Sequence, residues 1–286
     1  MTTATGNQIL TIVCPDTTGI VAAVAGYLSA QGFFIDESSH FGDPDTRRFF
    51  MRTRFTPQPA FSRAAFTAGF EPIAARFAMQ WQVHDLAVLP RVLVMVSRHE
   101  HCLNDLLYRY RTGALPMQIP AIVSNHMGLS ALAQWHRVPF FHVPVSAGTK
   151  PQAEARLLEL IDDTKADLIV LARYMQILSP AVCERFAGRI INIHHSFLPG
   201  FKGARPYHEA HARGVKLIGA TAHYVTPDLD EGPIIEQTVE RADHTQSPDD
   251  LAAIGRDVEC ITLARAVKLH LEHRVFLNGR RTVVLR

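Results

Sequence analysis

The pattern of apolar residues changes at Pro90, and that change bounds what the chain can fold into. Beyond it, short continuous apolar runs at 92–96, 121–124, 140–143, 168–172 and 190–193 alternate with helical spacing at 101–110, 129–136, 150–164 and 180–186. Buried strands alternating with helices are βαβ units of a mostly parallel sheet covered on both faces. Before Pro90 the grammar differs. A strand is expected at 8–14, a helix from Ile20 to about Gln31, strands at 33–41 and 47–56 around the turn at 42–45, a helix at 61–77 and a strand at 79–86. The order βαββαβ in under 90 residues predicts a ferredoxin-like antiparallel sheet with both helices on one face. Thr17 or Thr18 is the expected N-cap of the first helix, and Pro72 could split the second.

The fold class expected is therefore α/β: a ferredoxin-like domain at 1–88, then a Rossmann-like open sheet at 89–286. The length of 286 residues agrees with two domains. At the far end, strands at 218–225 and 234–240 suggest a hairpin across a long loop. A long helix follows at 249–270, and Asn278-Gly279 predicts a type I′ hairpin.

Composition narrows the function. The net charge is +2 with 20% charged residues, so no electrostatic case exists for nucleic acid or an anionic membrane as partner. No apolar run approaches the roughly 18 residues of a membrane span. The N-terminus lacks a basic n-region, and its apolar run is short. Cys14, Cys102, Cys183 and Cys260 are far apart, without a C-x-x-C pair, which argues against a disulfide framework. A cytoplasmic location is expected. The count of 15 His invites a search for a site.

Two segments carry chemistry. The apolar strand at 190–193 delivers Asn192, His194 and His195 towards its carboxyl end, followed by Ser196-Phe197-Leu198-Pro199. In open α/β sheets ligands bind at that end of the strands. An Asn within an apolar strand is unfavourable unless its amide has a partner. The second segment, Leu229-Asp230-Glu231-Gly232-Pro233-Ile234-Ile235, places Asp230 36 positions after His194.

Asn-Ile-His before Ser-Phe-Leu-Pro, then Leu-Asp-Glu-Gly-Pro-Ile-Ile, resembles the folate-dependent formyltransferases over about residues 90–286. The resemblance implies Asn192, His194 and Asp230 as the catalytic trio. An amide N–H from Asn192 would face the oxyanion, His194 would move a proton, and Asp230 would hold the imidazole and orient a water. It further implies a pterin pocket lined by Tyr174, Met175, Gln176, Ile177 and Leu178, closed by the acidic loop through Thr226, Asp228 and Glu231. Gln176 stands where the glycinamide branch has Arg, which leaves the grip on the folate glutamate tail open. Arg173 and Lys202 are candidates for the tail carboxylates. His195 reads as a loop or supporting residue.

The loop after the first strand of this half, Ser97-Arg98-His99-Glu100-His101-Cys102, has no glycine. It therefore lacks the open backbone that cradles a phosphate. Together with Leu171-Ala172-Arg173-Tyr174-Met175-Gln176-Ile177-Leu178-Ser179-Pro180, it resembles the formyltetrahydrofolate deformylase branch. That branch hydrolyses 10-formyltetrahydrofolate to tetrahydrofolate and formate, in one-carbon and purine metabolism. His99, His101 and Cys102 would then fill the acceptor side and leave room for water. The segment Asp16-Thr17-Thr18-Gly19-Ile20-Val21-Ala22 resembles the ACT family over about residues 7–87. Such domains often bind an amino acid between two chains, which makes Asp16 and Gly19 candidate effector residues and a homo-oligomer the expected state.

Folate is the expected substrate, and no cofactor is expected. A metal site is not expected either: His208 and His211 lie at i, i+3 and lack H-E-x-x-H spacing. The alternatives are a phosphoribosylglycinamide-type formyltransferase and a non-catalytic folate-binding regulator.

Overall fold

The computed structural model describes residues 6–198 and 206–286. The chain divides into two compact units. One comprises the residues up to Leu89 together with Glu272–Asn278 and Val283–Arg286; the other comprises Pro90–Leu271 and Gly279–Thr282. The expectation of a second domain running through 89–286 fails at its C-terminal end, because the last segments pack with the first unit.

The first unit runs β1 (Gln8–Pro15), α1 (Ile20–Ala30), β2 (Phe34–Asp43), β3 (Arg48–Thr56), α2 (Arg63–Arg76) and β4 (Gln80–Asp85). The sheet order is β2-β3-β1-β4 with every pairing antiparallel. Ile20, Val24 and Leu28 of α1 and Phe66 and Phe70 of α2 pack on Leu10, Ile12, Met51 and Phe55, so both helices cover one face. The expected threonine caps are not used. Gly19 caps α1 with φ 96°, and no side chain bonds the helix start. Only a residue without Cβ takes that conformation freely. Ser62 caps α2 by accepting from the Ala65 N–H at 3.3 Å, and Pro72 sits inside one continuous helix. On the other face, Phe50 of β3 packs against Phe276 and Leu285. Arg52 is buried there, paired with Glu37 at 3.2 Å and donating to the Glu272 carbonyl at 2.8 Å.

The second unit runs β5 (Val92–Val96), α3 (His101–Arg111), β6 (Ile122–Ser124), α4 (Ser130–Trp135), β7 (Phe140–His142), α5 (Lys150–Thr164), β8 (Leu168–Leu171), α6 (Pro180–Arg185) and β9 (Ile190–His194). It continues with α7 (Pro206–Ala212), β10 (Leu217–Tyr224), β11 (Ile234–Arg241) and α8 (Pro248–Leu271). Seven strands form one sheet in the order β11-β10-β9-β8-β5-β6-β7. The pairs from β9 to β7 are parallel, while β10 and β11 add an antiparallel hairpin edge. β6 and β8 flank β5 on opposite sides, so the direction of winding reverses at β5. Such a switch point opens a crevice at the carboxyl ends of the strands.

β12 (Val275–Asn278) and β13 (Arg281–Val284) form a two-stranded hairpin. Its turn is not the expected type I′. Gly279 and Arg280 span it, and only Gly279 has positive φ, at 63°, the pattern of a type II′ turn. Asn278 stays on the strand and donates its amide to Asp43.

Candidate active site

β9 is buried along most of its length and ends in His194. It pairs antiparallel with β10, so Asn192 lies opposite His223 and His194 opposite Thr221. The Nδ1 of His194 faces Asp230 Oδ2 at 3.3 Å. His194 is buried, and its Nε2 has no partner among the described residues. A buried imidazole with one nitrogen anchored and the other open is poised to exchange a proton there. The ring stacks on His195 at 4.8 Å.

Asp230 comes from the turn between β10 and β11 and has φ 58°, in the left-handed region. Gly232 makes that turn fit. A Cβ on it would stand 1.7 Å from the Tyr224 carbonyl oxygen. Hydrogen bonding to His194, first of all, holds the Asp230 carboxyl well below the usual carboxylate range, against an opposing effect of burial. It is an anion at any pH near neutral.

The opposite wall follows β8. Arg173 has φ 63°, and the backbone there is pinned by buried Ser97. The Ser97 N–H donates to the Arg173 carbonyl at 3.3 Å. Its hydroxyl accepts from the Met175 N–H at 2.9 Å and donates to Asn125 Oδ1 at 2.7 Å. Residues 173–178 are thereby presented to a cavity of about 240 Å³. That cavity is also lined by Asn192, His194, His195, His223, Thr226, Leu229 and Asp230. Burial, then the Glu154 charge, pushes the Tyr174 phenol up to about 12, so it stays protonated. Met175 and Ile177 are exposed, whereas Leu178 is buried.

The structure thus gathers the expected trio and the expected pterin wall around one cavity. Other candidates fall elsewhere. Thr226 lines the cavity, but Asp228 and Glu231 do not. The Asp228 carbonyl accepts from the Thr226 hydroxyl at 3.0 Å, and Glu231 faces Arg280 at 3.7 Å. Lys202 lies outside the described residues. Asp16 and Gly19 sit in the first unit, where the Asp16 carboxylate lies against Gly42.

His99, His101 and Cys102 do not line the cavity among the described residues. His101 and Cys102 belong to a polar cluster centred on buried Glu259 of α8, with exposed His99 beside His101 at its edge. Glu259 faces His101 Nε2 at 2.7 Å and Arg173 Nε at 3.4 Å, and accepts from the Tyr207 hydroxyl at 3.1 Å. Burial alone would raise the Glu259 carboxyl; the His101 hydrogen bond and the Arg173 charge outweigh it and keep Glu259 ionised. Burial, then Arg173, pushes the His99 imidazole down. A hydrogen bond with Cys260, then burial, holds the Cys102 thiol protonated. The potential ligand atoms of His101, Cys102 and Glu259 lie within 4.8 Å of one another. The carboxylate already has a resident guanidinium, and the thiol is protonated, so the donor set is arranged as an ion network. His208 and His211 lie on α7, and neither shares this cluster. Arg173 connects the cluster to the cavity.

Sequence reasoning missed His223 and Glu259. A lone His in an apolar strand and a lone Glu in a long helix carry no motif. His223 could have been found by its alternation in phase with Thr221 on β10, seven positions before Asp230.

The formyl transferase family pattern matches residues 90–267. The formyltetrahydrofolate deformylase of Corynebacterium sp. strain P-1 is 51% identical over 281 residues, 98% of each chain. The solved structure of formyltetrahydrofolate deformylase from Burkholderia mallei has a TM-score of 0.94 and 57% identity, covering 98% of this chain and 100% of that one. That of glycinamide ribonucleotide transformylase 1 from Symbiobacterium toebii has a TM-score of 0.65 and 30% identity, covering 69% of this chain and 95% of that one. No helix among the described residues is long and apolar enough to cross a membrane. With both units matched end to end at this identity, the chain belongs to the formyltetrahydrofolate deformylase family.

Proposed function

We propose that this chain hydrolyses 10-formyltetrahydrofolate to tetrahydrofolate and formate, with Asn192, His194 and Asp230 as the catalytic residues. The observation that carries the reading is the His194–Asp230 pair, with Nδ1 anchored and Nε2 open, beside Asn192 in a cavity walled by residues 173–178. Asp230 accepts a hydrogen bond from the Nδ1–H, so the proton stays on Nδ1 and His194 presents a lone pair at Nε2. Water attacks the formyl carbon, and Nε2 takes its proton. The carbon becomes tetrahedral, and its oxyanion accepts an N–H from Asn192. The C–N10 bond then breaks as the proton held on Nε2 passes to N10. A single oxyanion donor of this kind is worth about 3–4 kcal/mol. No cofactor enters these steps.

The pterin lies against Tyr174 to Leu178 in this reading, with the Thr226 loop over it. The Glu259 cluster replaces the open phosphate cradle that a phosphorylated amine would need. His99, His101 and Cys102 shape the acceptor side from behind Arg173 and His195. With Arg173 committed to Glu259, its role at the glutamate tail is secondary. The first unit is the regulatory or oligomerisation module, with an amino-acid effector near Asp16 and Gly19 and a homo-oligomer as the working form.

The test is formate release from 10-formyltetrahydrofolate, with and without glycinamide ribonucleotide. Formate at equal rates in both is the expected result. Formylated ribonucleotide in place of formate would favour the transferase. Asn192→Ala should lower kcat by about 10²–10³-fold; an unchanged rate would remove Asn192 from the chemistry. Free amino acids added to the same assay test the effector site, and sedimentation tests the oligomer.

A further inference from the structure

One buried titratable group in the site, His223, has no part in the hydrolytic steps. It rises from β10 directly opposite Asn192 on β9. The register of the β10–β11 pairing shifts between Ala222 and His223. Such an irregularity re-aims a side chain. The ring is 2% exposed and forms part of the cavity wall beside Asn192 and Asp230.

Three distances define what this ring does. Its Nδ1 lies 2.9 Å from the Tyr224 carbonyl oxygen. A carbonyl only accepts, so Nδ1 carries the proton and Nε2 presents a lone pair. The Nδ2 of Asn192 lies 3.3 Å from that Nε2. An Asp230 oxygen lies 3.7 Å away, beyond hydrogen-bond length, and as a carboxylate it has no proton to give. The donor to Nε2 is therefore the Asn192 amide. An amide nitrogen has two N–H groups. With one held by His223, the other has a fixed direction, and the amide cannot flip to present its oxygen.

We propose that His223 is a positioning residue, which fixes the Asn192 amide so that its second N–H points at the formyl oxygen. The ring is in turn oriented by backbone. Tyr224 donates its N–H to the Pro233 carbonyl at 2.9 Å, and Gly232 seats the Asp230 turn against the Tyr224 carbonyl. The chain of control runs from the β10–β11 turn through His223 to Asn192. The opposite tautomer would set a proton against the Asn192 N–H and a lone pair against the Tyr224 carbonyl. The proposal rests on the hydrolytic reading above, because it assigns the direction of a donor in that reaction.

Two variants separate this role from simple packing. The polar atoms of Gln reach the position of Nε2, while those of Asn reach only that of Nδ1. His223→Gln should keep kcat within about 10-fold of the parent, because an oxygen at that point accepts from Asn192. His223→Asn keeps the Tyr224 contact but loses the Asn192 contact. It should lower kcat about 100-fold with KM changed less than about 3-fold, the loss expected for a misdirected oxyanion donor. In an Asn192→Ala background, His223→Asn should cost nothing further, since coupled residues are non-additive. Should His223→Asn lack a thermal transition, His223→Leu takes its place in both backgrounds. Equal losses in the Gln and Asn variants would overturn the proposal. So would a parental kcat in His223→Asn, or a further 100-fold loss in the Asn192→Ala background. Failure of the parent protein to release formate would instead overturn the hydrolytic reading itself.

Discussion

Asp230 keeps its charge because the His194 imidazole faces it at 3.3 Å. Its folded pKa lies below the roughly 3.9 of an unfolded Asp. The unfolded chain therefore binds the proton first as pH falls. The stabilisation is fully present above about pH 4 and is lost as pH drops through the folded value. Asp230→Asn should consequently flatten the acid side of the stability profile below about pH 4, measured by urea unfolding at stepped pH. An unchanged slope would mean that the carboxylate is not held as described. At this scale the sequence was legible where a side chain combined an unusual place with a motif. Asn192 interrupts an apolar strand, His194 ends it, and Asp230 lies in the turn before the next strand. It was illegible where the meaning of a residue lies across strands: His223 gains its partners only through the β9–β10 register. Asp228 and Glu231 looked like Asp230 in sequence, yet neither lines the cavity.

Elements were legible wherever burial sets a period, and poorly so where a cap or turn is decided by backbone alone. The first helix begins on Gly19, although two threonines stand ready, because the chain leaves β1 through a left-handed residue. Pro72 stays within α2, where the apolar stripe of Phe66, Phe70 and Ala74 holds the helix to the sheet. The Asn278 amide is drawn to Asp43 and is not spent on the hairpin turn. Two glycines give opposite predictions at this scale. In Gly232→Ala the new methyl would collide with backbone at 1.7 Å, displacing the turn that carries Asp230. Formate release should fall by at least about 100-fold, the loss expected when a fixed oxyanion and proton-transfer geometry is broken. A thermal midpoint shifted by only a few degrees would place that damage in the turn itself. Gly26 lies exposed in α1 with nothing within 4 Å of an added Cβ. Gly26→Ala should stabilise the protein by about 0.4–1 kcal/mol without changing kcat. Destabilisation would show that this face of α1 is covered in the assembled protein.

Histidine was the surplus that composition pointed to, and part of it turns out to be half-buried structure. Burial, with Arg63 adding to it, pushes His84 down to about 4 in the first unit. Burial, then the Arg189 charge, pushes His270 down to about 4 in the second. Each is lowered from the roughly 6.5 of an unfolded imidazole. The unfolded chain therefore takes up these protons between about pH 6.5 and 4, and stability rises with pH across that window. Both contributions are fully present above about pH 6.5 and lost as pH falls through about 4. His270→Gln should remove part of that slope while keeping a polar partner for the Tyr224 hydroxyl, which lies 2.7 Å from the His270 Nδ1. An unaltered profile between about pH 4 and 6.5, again by urea unfolding, would show that His270 is not buried neutral. The two-part organisation was legible in the switch of pattern at Pro90, but the return of the last residues was not. Phe276 and Leu285 read as an ordinary terminal hairpin, and nothing local says that they cover Phe50, more than 200 positions earlier. That return has a consequence for synthesis. A ribosome delivers the chain from its N-terminus at about 5–20 residues per second. The unit made first is therefore finished late: Phe50 stays uncovered and Arg52 waits for the Glu272 carbonyl until residues 272–285 have been made. Stalled nascent chains ending near Leu271 should show β5 to β11 protected from protease while β3 remains open to it.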